Sequence, residues 1–444
     1  MKNLQKFYIN GLWVAPISTA TLPVLNPALN EQIGTVSMGN SDDVDKAVAA
    51  AKAAFVDYSQ TSKADRLALL TRLKEETEKR FEDMAQAMRM EMGAPITMAR
   101  DAQADAAVGH LQGFIESLEE LHERMDLPNG DVMLREAIGV CGLITPWNWP
   151  INQIALKVIP ALATGCTCVL KPSEHTPVSA MVYAEIIHSA GYPAGVFNLV
   201  NGDGPTVGSC LSRHRDIQMM SFTGSTRAGT AVTHDAAETV KRVTLELGGK
   251  SPNIVFADCD LKAMVTASVQ ECMFNTGQSC DAPTRLLVER SCYDEALKIV
   301  KTAAEAVEVG DPEKEGGHLG PLFDEIQFER VQNMISVGIN EGANLLVGGL
   351  GKPEGYEKGW FVKPTIFADV SNDQRIAQEE IFGPVLVVIP FENEADAVRI
   401  ANDTPYGLAA YLQTGNSARA ERVAKQLRAG AVHINGGAVN YGTP

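Results

Sequence analysis

The chain has 444 residues, too many for one ordinary core and suited to two or three domains. Its 38 basic and 55 acidic residues give a formal net charge of -17, a field that repels phosphate backbones and anionic lipid and so argues against nucleic acid and membrane as partners. Eight cysteines are too sparse for a disulfide framework and residues 1–14 carry no secretory signal, so a reduced, cytoplasmic setting is expected.

Residues 1 to about 36 read as short strands, with turns at Asn10-Gly11 and Asn26-Pro27. Ser41 is placed to cap a helix through Tyr58, with Val44, Val48, Ala51 and Phe55 on one face. Ser62 is placed to cap one long amphipathic helix that Gly93 and Pro95 end. A third helix is expected over about 100–124. The turn Pro128-Asn129-Gly130-Asp131, between short extended segments, signals a hairpin. From Gly139 strands and helices alternate: strands at 140–144, 166–170, 196–200 and 219–222, helices at 151–163, 177–190 and 205–211. Such alternation calls for a parallel, doubly wound sheet of α/β class, with its ligand crevice at the carboxyl ends of the strands. A second alternating region runs from about 251 to 433, with strands at 253–256, 285–288 and 385–389.

Three segments could carry chemistry. Ser221-Phe222-Thr223-Gly224-Ser225-Thr226-Arg227-Ala228-Gly229 ends a strand and opens a helix, where backbone amides can meet a phosphate. It lacks the G-x-G-x-x-G spacing and is equally a capped helix start. Thr244-Leu245-Glu246-Leu247-Gly248-Gly249-Lys250-Ser251 fails as a phosphate loop, because Thr244 stands where that pattern needs glycine. What remains is the carboxylate of Glu246 at a strand end, which in isolation reads as a surface residue. Met273-Phe274-Asn275-Thr276-Gly277-Gln278-Ser279-Cys280 sets a cysteine just after a glycine turn, and a thiolate of lowered pKa adds readily to carbonyls. Cys141 and Cys168, in apolar strands, instead fit small buried hydrophobes. Cys166 and Cys168 lack a second cluster at ligand spacing and the eight histidines are scattered, so no metal site is expected.

In order along the chain stand Pro146-Trp147-Asn148-Trp149-Pro150, Lys171-Pro172-Ser173-Glu174, Phe222-Thr223-Gly224-Ser225-Thr226 and Leu245-Glu246-Leu247-Gly248-Gly249-Lys250. Asn275-Thr276-Gly277-Gln278-Ser279-Cys280 and Glu379-Glu380-Ile381-Phe382-Gly383-Pro384 follow. With these separations the chain closely resembles the NAD(P)-dependent aldehyde dehydrogenase superfamily, of the hydrolytic, non-acylating type. The resemblance implies a Rossmann-type NAD-binding domain over 1–124 and 139–248, an oligomerisation hairpin over 125–138 and an α/β catalytic domain over 249–434. Residues 435–444 would begin a C-terminal anchor and oligomerisation segment that stops short of its last strand.

It implies Cys280 as nucleophile, Glu246 as general base, Asn148 with the Cys280 amide as oxyanion donors, and Lys157 in proton relay. Lys171 and Glu174 would hold the adenosine ribose, Gly224 and Ser225 the pyrophosphate, and Glu380 with Phe382 the nicotinamide ribose and ring. Ile144, Trp147, Ser173, Thr223 and Leu247 would complete the cofactor contacts. Glu174 would repel a 2′-phosphate, favouring NAD, although rotation of its side chain would admit NADP. Trp149, Leu156 and Asp281 would line the substrate tunnel. Asp281 departs from the cysteine or alanine of many relatives and is expected to disfavour anionic aldehydes.

The chemistry is consistent with these roles. A thiolate adding to an aldehyde makes an alkoxide that needs pre-aimed donors, and loss of hydride to an oxidised nicotinamide leaves a thioester. A thioester with a water-activating carboxylate is hydrolysed, whereas without one it could pass to coenzyme A. A cysteine hydrolase would need a histidine partner that nothing near Cys280 names, and an idle structural protein would need none of Cys280, Glu246 and Asn148. The expected partners are a small-molecule aldehyde and further copies of the chain, as homodimer or homotetramer.

Overall fold

In a computed structural model describing residues 3–436, two seven-stranded sheets divide the chain. In the first, strands Arg242–Glu246, Met219–Thr223, Val140–Ile144, Thr167–Lys171 and Phe197–Leu199 lie side by side in that order, all parallel. The antiparallel pair Phe7–Ile9 and Leu12–Val14 closes the far edge. Chain order reverses between Val140–Ile144 and Met219–Thr223, and that neighbouring pair is where a doubly wound sheet opens a crevice at its carboxyl ends.

The second sheet runs Asn344–Val347, Thr365–Ala368, Val385–Phe391, Arg285–Glu289, Pro252–Val255, Ala409–Gln413 and Ala431–Ile434, parallel except for its first strand. The strands at 140–144, 167–171 and 252–255 are buried at every residue. Helices cover both faces of such a sheet, which is why these strands read as unbroken apolar runs. Arg285 and Lys250 are the charged residues among the largest fully buried side chains. The Arg285 guanidinium donates to the carbonyls of Lys250, Ile400 and Ala401 and to Asn372 Oδ1, which ties the start of strand Arg285–Glu289 to the end of helix Glu394–Asn402.

The helical layer departs from expectation in three places. Asn40, not Ser41, caps Ser41–Tyr58, because its side chain accepts from the Asp43 amide while Asp43 accepts from the Asn40 amide in return. The long helix expected after Ser62 is two, Lys63–Lys79 and Phe81–Met92, broken at Arg80 (φ -105°, ψ 16°). That break lets Phe81–Met92 pack on Pro177–Ser189, with Glu91 accepting from the amides of Val178 and Ser179 at that helix's start. The third helix begins with a π turn at Ala99–Ala104 and ends at Glu120. The turn at Asn129-Gly130 joins strands Arg124–Asp126 and Val132–Leu134 into a two-stranded hairpin. Among the described residues no helix is long and apolar enough to cross a membrane. The expected anchor segment falls mainly in 437–444, outside the described residues.

Candidate active site

Cys280 follows a loop whose backbone is forced into an uncommon shape. After helix Leu261–Met273, Asn275, Thr276 and Gly277 all adopt left-handed conformation, with φ of 53°, 56° and 68°. For a β-branched threonine this costs on the order of 1–3 kcal/mol, which surrounding contacts must offset. Those contacts are specific. Asn275 Nδ2 donates to the carbonyls of Asn148 (3.0 Å) and Gln278 (3.2 Å), and Thr276 Oγ1 donates to the Gly320 carbonyl at 3.2 Å. Gly277 is required for space as well as for φ, since a Cβ there would stand 2.1 Å from the Gly383 carbonyl oxygen.

The same loop is pinned to the segment after strand Val140–Ile144. Asn148 Nδ2 donates to the Gln278 carbonyl at 2.9 Å, Trp149 Nε1 donates to Ser279 Oγ at 2.9 Å, and Gln103 Nε2 donates to the Asn148 carbonyl at 3.1 Å. An amide nitrogen carries two hydrogens, so Asn148 spends one on its own positioning and keeps one for a ligand. Gln278 Oε1 accepts from the Phe323 amide at 2.9 Å, fixing the loop from a second side. The result is a rigid joint between the two sheets, with Cys280 at its edge.

Burial, with Asp281, Glu380 and Glu246 as negative neighbours, pushes the Cys280 thiol up to about 12. With carboxylates on several sides and little water, the protonated sulfur is the favoured form. Glu246 ends the edge strand Arg242–Glu246 in an exposed position, opposite Thr223 in the sheet register. Lys157, buried on helix Pro150–Ala163, donates to Ser221 Oγ at 3.1 Å. Its amine is lowered to about 8 by burial, against the opposing pull of Glu246.

At the crevice of the first sheet, Ile144 pairs in register with Phe222 on one side and Lys171 on the other. The hydroxyls of Thr145 and Thr223, at the ends of the two strands flanking the order reversal, are buried with no hydrogen-bond partner among the described residues. Beside them Ser225 caps helix Thr226–Ala237, accepting from the Ala228 amide at 3.3 Å. Orphaned hydroxyls next to a helix N-terminus suit the phosphates of a dinucleotide. Gly224 has a packing reason as well as a ligand one: a Cβ there would stand 2.7 Å from the Phe222 ring. Lys171 Nζ donates to Glu174 Oε2 (3.0 Å) and to the carbonyls of Pro172 and Gly202, so two of its hydrogens fix the amine and the third holds Glu174. Ser173 Oγ accepts from the His175 amide.

Opposite, Glu380 Oε1 accepts from the Gly249 amide at 3.1 Å, and a Cβ on Gly248 would meet its other oxygen at 2.4 Å. Leu247, half-buried, leads into this pair of glycines. Phe382, at φ 60°, has its carbonyl held by Gln327 Nε2 at 2.7 Å and its ring edge-on to Trp147 at 5.5 Å. Trp147 stacks in turn on Phe323 at 4.4 Å. The donors and acceptors present therefore fit an NAD-type dinucleotide lying between the two sheets.

The model of the Aldehyde dehydrogenase family matches residues 13–443. The chain belongs to that family. It is 49% identical to a 3-succinoylsemialdehyde-pyridine dehydrogenase from a Pseudomonas species, over all of this chain and 93% of the relative. An aldehyde dehydrogenase from Bartonella henselae superposes with a TM-score of 0.97 at 50% identity, covering 99% of this chain and 93% of that one. A mutant of aldehyde dehydrogenase C from Pseudomonas syringae, solved with NAD+ and octanal, superposes with a TM-score of 0.97 at 48% identity, covering 99% and 90%.

Of the residues expected to line a substrate tunnel, Trp149 has its ring 5.9 Å from that of Phe274. Leu156, 38% exposed, stands about two helical turns beyond Trp149 on the same face. Asp281 is exposed, its carbonyl accepts from Tyr411 Oη at 3.1 Å, and Tyr411 stacks on His433. Although the residue as a whole is exposed, protein packed around its carboxyl pushes Asp281 up, opposed by its own backbone amide and by His433. Sequence reasoning missed Gln103, Phe323 and Gln327, which support the site from other elements and carry no local signal. Asn275 and Gln278 lay inside a quoted motif, but nothing in the sequence distinguished their loop-holding role.

Proposed function

We propose that the chain oxidises an aldehyde to its carboxylic acid with NAD+ and water, most like the general NAD-dependent aldehyde dehydrogenases, with Cys280 as nucleophile and Glu246 as base. The observation that carries this reading is the joint that brings Cys280, the free hydrogen of Asn148 Nδ2 and the field of Glu246 to one crevice. Sulfur adds to the carbonyl carbon, and its proton leaves to the water that reaches the exposed Glu246. The thiohemiacetal oxyanion is received by Asn148 Nδ2 and the Cys280 amide. A bound nicotinamide dinucleotide supplies the two-electron acceptor, leaving Cys280 as a thioester. Glu246 then takes a proton from water as it attacks the thioester carbon; the acid departs and the thiol is restored. Lys157, bonded to Ser221 and electrostatically coupled to Glu246, offers a route for the proton that Glu246 has taken up, its amine being lowered to about 8.

Glu174, anchored by Lys171, leaves an oxygen for ribose hydroxyls and favours NAD over NADP. Asp281 beside the nucleophile favours neutral over anionic aldehydes. Thiols free of disulfides among the described residues are in keeping with a cytoplasmic setting, and the hairpin with its exposed Val132 and Leu134 with a homodimer or homotetramer. The deciding experiment is a panel of aldehydes with NAD+ or NADP+, followed by the absorbance of reduced cofactor. Cys280→Ala abolishes the signal at unchanged fold, and residual turnover above a hundredth of wild type would reject the assignment.

A further inference from the structure

Gln103 is a polar side chain that the fold buries completely, in the π turn Ala99–Ala104 that opens the third helix. Such turns are rare within helices and gather at functional sites. Its Nε2 uses both hydrogens, on the Asn148 carbonyl at 3.1 Å and on Met92 Sδ at 3.3 Å. Its Oε1 is buried with no hydrogen-bond partner among the described residues. Turning the amide over would not relieve that oxygen, because it would then face the Asn148 carbonyl, acceptor against acceptor. An apolar side chain of the same length would avoid the penalty of an unsatisfied buried acceptor, so stability does not account for a glutamine here.

The bond it makes reaches Asn148 from the side away from Cys280. The Asn148 carbonyl has two lone pairs; Gln103 fills one, and Asn275 Nδ2 fills the other at 3.0 Å. One donor comes from the helical layer and the other from the loop that leads to Cys280. Holding this carbonyl restrains ψ of Asn148, and with it the direction in which Cα–Cβ carries Nδ2. The helix that follows, Pro150–Ala163, gives no such hold at its start, since Trp149 at the N-cap makes no side-chain capping bond. Gln103 itself, fully buried and bonded to Met92 and a backbone carbonyl, can affect the reaction only through Asn148.

We propose that Gln103 is a positioning residue for aldehyde oxidation, which aims the Asn148 amide at the developing oxyanion and is kept for that at the expense of its own unsatisfied oxygen. The inference rests on the reading of Asn148 as oxyanion donor. Without the Gln103 amide, Asn275 alone holds the Asn148 carbonyl and the segment gains freedom. A misplacement of about 1 Å costs on the order of 100-fold in rate, and a loosening with one donor retained costs about tenfold. That loss falls on the chemical step and leaves ground-state binding of the aldehyde alone. The fold loses no satisfied acceptor and sheds an orphaned one, so thermal stability holds or rises.

The test uses the full-length chain as wild type, Gln103→Met, Asn148→Ala and the double variant, with single-turnover formation of reduced cofactor, KM for the aldehyde and Tm measured on each. Gln103→Met should react about tenfold more slowly, with KM within about twofold and Tm at or above that of wild type. In the Asn148→Ala background the same change should cost less than about twofold, because the group it aims is gone. A rate within about twofold of wild type in Gln103→Met overturns the proposal, as do additive losses in the double variant. A fall in Tm of more than about 5 °C with the rate of the folded enzyme unchanged makes Gln103 a packing residue and overturns it too. Gln103→Glu gives an independent reading. Its carboxyl can donate to the Asn148 carbonyl when protonated and cannot when ionised, so its rate relative to wild type should fall as pH rises from about 6 to about 9. A flat ratio overturns the proposal even where the methionine variant fails to fold. If Asn148→Ala alone stays within about tenfold of wild type, the oxyanion reading fails and this proposal falls with it; a large loss there with none in Gln103→Met removes this proposal alone.

Discussion

Replacing Asn148 with alanine separates positioning from catalysis, because the structure limits what the change can break. The side-chain amide makes one hydrogen bond, to the Gln278 carbonyl at 2.9 Å, and that carbonyl keeps a second donor, Asn275 Nδ2 at 3.2 Å. No buried acceptor is orphaned, so the stability loss is about 1 kcal/mol, a few degrees at most in Tm. The bonds that Gln103 and Asn275 make to the Asn148 backbone carbonyl survive truncation. Catalysis loses a donor that acts only on the transition state, worth ~3–4 kcal/mol, or a fall of about 100- to 1,000-fold in kcat. KM for the aldehyde should change little, since the ground-state carbonyl is not the target of that donor. Initial rates of reduced-cofactor formation, with thermal unfolding of the same sample, give both quantities. A fall in kcat of less than tenfold in a folded variant would refute the oxyanion role of Asn148.

Three further changes test other parts of the site and its support. Glu246→Gln should release about one equivalent of reduced cofactor per site and then slow by about 100-fold or more as thioester accumulates; rapid-quench mass analysis shows the acyl adduct, and unchanged steady-state turnover would remove Glu246 from the role of base. Glu174→Ala should raise the ratio of NADP+ to NAD+ specificity by about tenfold, ~1.4 kcal/mol of relieved repulsion, and an unaltered ratio counts against its ribose contact. Burial pushes the Glu91 carboxyl up to about 7, against the hydrogen bonds of Ser179 and Val178 that lower it. Its unfolded value is about 4.3, so between the two the folded chain binds more protons than the unfolded one and stability falls as pH rises. The Tm advantage of Glu91→Gln over wild type should therefore be larger at pH 8 than at pH 5, and an equal difference at both would contradict the assignment.

Most of the strands were legible because a parallel sheet covered on both faces demands unbroken apolar runs, and 140–144 and 285–288 show them plainly. Helix starts were legible to within a residue where a capping side chain stood nearby, and Asn40 displaced Ser41 because the reciprocal bond with Asp43 uses both partners. The break at Arg80 left no mark, since no glycine or proline stands there; packing of Phe81–Met92 against Pro177–Ser189 fixes it.

Sequence alone determined the α/β class, the crevice-side segments and, through six ordered motifs, the candidates Cys280, Glu246 and Asn148, because strand period, turn chemistry and reactive residue types are local properties. Tertiary structure alone decided the burial and the carboxylate field around Cys280, the left-handed run at Asn275–Gly277 and the support from Gln103, Phe323 and Gln327. Each depends on which charges, carbonyls and rings arrive from distant parts of the chain. Field strength and strain are set by distance in space, a quantity that separation along the chain does not encode.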